Sequence, residues 1–221
     1  MRMLSNLVAA LGAVVLLAGL ATAQGPPVPA IHHDLSLLLN PGVRKELKLD
    51  EAQVAKARQL FEQTMAKVRE QFQTLSNLEG QERTEKAGEL ADALNAETAK
   101  ALADLLRPEQ LKRYEQINLQ QSGPGILAFP KVQEPLKLND RQKEGLRQIS
   151  ERNGQEIRDL FQQGRAGDRG ALRSKLSAVR ARAMEEVVNL LDEDQKAIWR
   201  GMIGAPFTVE YQPPRTDNDR R

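Results

Sequence analysis

The chain contains no cysteine. That excludes disulfides, thiolate metal sites, cysteine nucleophiles and a lipid-modified amino-terminal cysteine. Its only histidines are the adjacent pair His32 and His33. Adjacent residues on an arm do not converge as metal ligands spaced three or four apart on a helix do. They therefore read as polar surface, and no metal site is expected. No glycine-rich phosphate loop and no His-Glu-x-x-His pattern occurs. Without a histidine or cysteine near a carboxylate cluster, a nucleophile with its base cannot readily be assembled. The carboxylates alternate with Lys and Arg on helical faces, where solvated ion pairs are the expected role. The chain therefore reads as no enzyme, with no catalytic residue and no cofactor. Aromatics are few (Trp 1, Tyr 2, Phe 5) and the formal net charge is only +2. Without basic–aromatic interleaving, nucleic acid is not an expected partner. Strand signals are also missing, which leaves an all-α chain.

What is present is a repeat. Leu47-Lys48-Leu49-Asp50-Glu51-Ala52-Gln53 recurs 89 residues later as Leu136-Lys137-Leu138-Asn139-Asp140-Arg141-Gln142. Leu106-Arg107-Pro108-Glu109-Gln110 and Leu191-Asp192-Glu193-Asp194-Gln195 echo it, so four boxes share Leu-x-x-x-Gln. Asp50, Asn139 and Asp192 can accept from the orphan amides of a helix start. The glutamine three residues on can reach back to the N-cap amide, which makes a capping box. Arg107 cannot cap, although Pro108 suits a first helical position.

In chain order, residues 1–23 read as a secretory signal. Arg2 supplies the basic end, residues 4–20 the apolar stretch, and Ala21-Thr22-Ala23 a small-residue cleavage site. The expected location is periplasmic or secreted, with cleavage after Ala23 and no membrane-spanning segment in the mature chain. The mature chain is near neutral, with 31 Lys and Arg against 30 Asp and Glu. Residues 24–40 read as a flexible arm. From Asp50, the residues Val54, Ala57, Phe61, Met65, Val68, Phe72 and Leu75 recur at heptad-like spacing and predict a long amphipathic helix. A break at 79–82 and a second stripe to Leu106 predict an antiparallel hairpin. A shorter helix follows to Gln120. The second half repeats this plan, with Asn153-Gly154 as a bend or weak point, a turn at 163–170, and Trp199 in the place of Tyr114. The domains are thus a signal (1–23), an arm (24–40), repeat 1 (41–127), repeat 2 (128–209) and a disordered tail (210–221). The fold class is two tandem long helical hairpins, each followed by a shorter helix.

The four boxes resemble the Leu-Thr-x-x-Gln signature of the Spy/CpxP family of periplasmic helical proteins. They read Leu49-Asp50-x-x-Gln53, Leu106-Arg107-x-x-Gln110, Leu138-Asn139-x-x-Gln142 and Leu191-Asp192-x-x-Gln195. The stretch from Leu105 through Leu111 and Lys112 to Tyr114 is especially similar to that family's second box. The threonine is replaced in all four. The resemblance implies an all-α cradle and an ATP-independent chaperone that holds unfolded or partly folded envelope proteins. In relatives it implies envelope-stress or metal-linked sensing through a specific envelope partner. It also implies a homodimer, or an internal pseudo-dimer of the two halves. Client contacts are expected at Phe61, Met65, Phe72 and Phe161, where they face outward, and at Arg165, Arg169 and Arg173 near the basic second turn.

Overall fold

The computed structural model describes residues 33–128, 130–163 and 169–210. Its α-helices are α1 (Pro41–Glu46), α2 (Glu51–Ser76), α3 (Gly80–Leu105), α4 (Pro108–Gln121), α5 (Pro130–Leu136), α6 (Asp140–Gln163), α7 (Arg169–Leu190) and α8 (Glu193–Ile203). Short 3-10 helices lie at Leu35–Leu39 and Pro124–Ala128, and no strand occurs among the described residues. No described helix is long and apolar enough to cross a membrane. The signal segment, the first part of the arm with His32, the second turn with Arg165, and the tail from 211 lie outside the described residues.

The chain divides into two compact units, one of Glu115–Phe207 and the other of the remainder. Their boundary falls inside α4, after Tyr114, rather than at residue 127 where the repeats divide.

In the first unit, α2 packs on α3. Gln53 lies by Leu105, Lys67 by Glu97 and Gln71 by Leu90, so the two helices run antiparallel. The 26 residues of α2 make a rod of roughly 40 Å. The expected flexible arm does not extend to residue 40. Asp34 accepts from the Ser36 amide, and Leu35, Leu37 and Leu38 of the 3-10 turn are buried. Four leucines in five residues offer too much apolar surface to stay in water. The His33 ring stacks on that of Tyr114, with centroids 6.4 Å apart. Val209 returns to this unit, and the Asn40 side chain donates to the Glu210 carbonyl at 2.8 Å.

In the second unit, α6 packs on α7. The ion pairs Arg152–Glu186 and Arg182–Glu156 set the same antiparallel course. Its core gathers Ile126, Leu127, Val132, Leu136, Leu146 and Val187 around Trp199. The helix α6 runs through Asn153-Gly154 without interruption. What marks that stretch is polarity. Ser150 Oγ and Asn153 Oδ1 are buried with no protein partner. After α8, Gly204 adopts φ +62°, and a Cβ there would run into the Gln116 amide. The Gln120 side chain donates to the Ile203 and Ala205 carbonyls and accepts from the Phe207 amide, which fixes the exit of the chain.

One local feature is repeated in detail. Lys48 (φ 52°) and Lys137 (φ 48°) are the only non-glycine residues with positive φ among those described. Both stand between a short helix and a box. At the first, the Lys48 amide donates to the Lys45 carbonyl and the Leu49 amide to the Arg44 carbonyl. That is a Schellman termination, whose left-handed position glycine normally fills. A lysine there costs about 1 kcal/mol. Lys48→Gly is therefore expected to raise the urea midpoint of unfolding, with a gain of about 0.5–1 kcal/mol. A fall would show that the lysine side chain itself is needed.

Candidate functional site

The four boxes are helix starts, as their spacing predicts. Asp50 accepts from the Gln53 amide at 2.8 Å, and Gln53 Oε1 accepts from the Asp50 amide at 3.2 Å. Asn139 with Gln142 and Asp192 with Gln195 form the same reciprocal pair. At the second box only half is made: Gln110 Oε1 accepts from the Arg107 amide at 2.9 Å.

The glutamines do more than cap. Gln53 Nε2 donates to Gln110 Oε1 at 2.8 Å and to the Leu105 carbonyl at 3.0 Å. Gln110 Nε2 donates to the Leu47 carbonyl at 2.9 Å, and contacts Gln53 Oε1 at 3.3 Å. Each amide thus caps its own helix start and holds the chain end that leads into the other. The second unit repeats the arrangement. Gln142 Nε2 donates to Gln195 Oε1 at 2.6 Å and to the Leu190 carbonyl at 2.9 Å. Gln195 Nε2 donates to the Leu136 carbonyl at 3.0 Å. Gln110 and Gln195 are nearly fully buried, as are Leu106, Leu138 and Leu191; Leu49 is half-buried. The motif residues therefore join two helix starts within each unit and do not present a reactive surface.

Capping logic is local and does not foretell this clasp, since the partners lie 57 and 53 residues apart. A signal existed. The glutamine is kept in the second box, where the N-cap residue has been lost to Arg107. With Arg107 unable to return the bond, Gln110 has only half of its local role, which leaves room for a distant one.

The apolar stripe of α2 is covered unevenly. Only Ala57 and Thr64 of this helix are buried. Phe61, Met65, Val68 and Leu75 are half-buried, and Phe72 is 49% exposed. In contrast, α3 buries Ala87, Ala91, Leu94, Asn95, Thr98 and Leu102. Of α2, only the small Ala57 and Thr64 are closed off, and its larger apolar side chains stay partly exposed. Three of the seven expected client contacts, Phe61, Met65 and Phe72, share this row. Phe161 in α6 is half-buried. Arg169 and Arg173 belong to α7. Arg182 titrates above its ordinary range because the Glu156 carboxylate accepts from it. Arg147 likewise holds the Glu144 carboxyl down, to about 2.

No group of three or more potential metal ligands occurs among the described residues. Two open clefts, of about 280 and 190 Å³, carry several charged side chains in their walls. No known family model, curated protein or solved structure matches the chain.

Proposed function

We propose that this is an exported, ATP-independent chaperone-like protein that holds unfolded or partly folded proteins, similar in kind to the Spy/CpxP proteins. The observation that carries the reading is the half-covered row of α2, which includes the exposed Phe72. A row of large, partly exposed apolar side chains can take up apolar client segments without unfolding the protein. Mixed charges on the same helices keep such a surface soluble and give it loose attraction for polar client flanks. The absence of a reactive centre in the sequence accords with binding rather than turnover.

The test is aggregation of several unrelated denatured proteins, followed by light scattering without ATP. The chain from Gln24 onward, at several-fold molar excess, is expected to suppress it. Phe72→Ser removes a contact of about 1.5–3 kcal/mol and should weaken client affinity by roughly tenfold or more. Unchanged scattering with the unmodified chain would sink the proposal. A pull-down dominated by one envelope protein would favour the sensor or adaptor reading instead.

A further inference from the structure

The internal repeat lets each residue of α2 be compared with its counterpart 89 positions on in α6. Four differences cluster around two shared arginines. Where α2 carries Phe61 and Met65, α6 carries Ser150 and Gly154. Where α2 carries Ala55 and Ala66, α6 carries Glu144 and Gln155. The arginines are kept, Arg58 as Arg147 and Arg69 as Arg158. In α6 both are tied along their own helix. Arg147 donates to Glu144 and Glu151, and Arg158 donates to Gln155. In α2 both are exposed, and neither bonds to any described residue. Glu62 stands where Glu151 does, yet it forms no pair with Arg58.

Helical spacing sets these arginines beside the apolar row. Arg58 is three residues from Phe61, and Arg69 is four from Met65 and three from Phe72. Glu62 is the one carboxylate at such a spacing from Phe61, Met65, Val68 or Phe72. The first copy thus combines large, partly exposed apolar side chains with unclaimed cations. The second has lost two of the apolar groups and engages both cations.

We propose that the α2 row takes acidic apolar segments. Their apolar side chains cover Phe61, Met65 and Phe72 while their carboxylates reach Arg58 and Arg69. The two arginines lie eleven residues apart, roughly 16 Å along the helix, which sets the separation of the carboxylates. A basic segment of equal apolarity meets like charge at both places. The counterpart surface of α6 offers fewer apolar groups and no unclaimed arginine at these positions, so this binding belongs to the first unit. The inference rests on the α2 row being the client surface proposed above, and adds the class of segment it takes.

Fluorescence anisotropy with two labelled peptides tests it on the chain from Gln24. Both peptides carry leucines at helical spacing. One has two glutamates eleven residues apart, and the other has lysines in their place. At about 25 mM salt, where screening reaches roughly 20 Å, the glutamate peptide is expected to bind about fivefold tighter or more. R58E/R69E should reverse the preference. A55E/A66Q gives α2 the acceptors of α6 and should erase the preference with both arginines still present. Ala55 and Ala66 are exposed, so helical circular dichroism should be retained. R147E/R158E, in the second unit, should leave the preference unchanged. Equal binding of the two peptides, weakened by Phe72→Ser, overturns the acidic class and leaves the holding surface standing. Binding of neither overturns both. A preference kept in R58E/R69E or A55E/A66Q, or lost in R147E/R158E, places the site elsewhere and overturns the proposal.

Discussion

Trp199→Ala is expected to destabilise the second unit by about 3–5 kcal/mol. Trp199 is 3% exposed and belongs to the cluster formed by Leu136, Leu138, Leu146 and Leu191. It sits in α8, whose start is fixed by the Asp192–Gln195 box. The helix cannot easily slide to fill the space, so a cavity should persist. For a unit of this size the midpoint should fall on the order of 15–30 °C, read by circular dichroism. Trp199→Phe keeps most of the volume and should lose far less. Trp199 is also the only tryptophan of the chain. In the unmodified protein its fluorescence therefore reports the core of the second unit, while circular dichroism follows all helices. A Trp199→Ala loss below about 1 kcal/mol would show that the cluster is not closely packed.

The second large effect is expected at a polar residue. Gln110→Ala should cost about 2–4 kcal/mol. It removes the acceptor of the Arg107 amide and the donor to the Leu47 carbonyl. Each group orphaned in a buried place costs about 1–3 kcal/mol. Gln53 keeps its bonds to the Asp50 amide and the Leu105 carbonyl, so the loss is not the whole clasp. A double-mutant cycle with Gln53→Ala should therefore show coupling of about 0.5–3 kcal/mol. Gln110→Glu makes a sharper test. An ionised carboxylate has no proton for the Leu47 carbonyl, whereas the neutral acid does. Its folded-state pKa should be raised, so the variant should gain relative stability as pH falls and lose it as pH rises. Equal stability of Gln110→Ala and the parent in urea would mean that the amide bonds are exchanged for water without penalty.

These two residues show what the sequence makes legible. Trp199 and Tyr114 stand at matched positions in an apolar stripe, and periodicity alone predicts their burial. The helix starts at Asp50, Asn139 and Asp192 are legible for a similar reason, since capping is written within four residues. Pairing between Gln53 and Gln110 depends on which helix starts meet, and no local pattern records that. The turn at Leu35–Leu39 escapes because five residues are too few for a helical period. The turns at Lys48 and Lys137 escape because the residue that would announce them, glycine, is absent. Of the candidate contact residues, the stripe gave their shared face. It could not tell that only Ala57 and Thr64 of α2 would be buried and Phe72 left exposed.

The first unit draws on both ends of the described chain. Leu35, Leu37 and Leu38 open it, and Val209 with the carbonyl of Glu210 completes it. Between them lies the entire second unit. A polypeptide delivered amino end first, from a ribosome or through a translocation pore, therefore presents the opening leucines and Asn40 long before residues 209 and 210 arrive. The second unit can finish first, and the first remains unsealed until residue 210 has emerged. Synthesis cut short before that point should leave Asn40 without its carbonyl partner and the first unit incomplete, whatever the quality of its own helices.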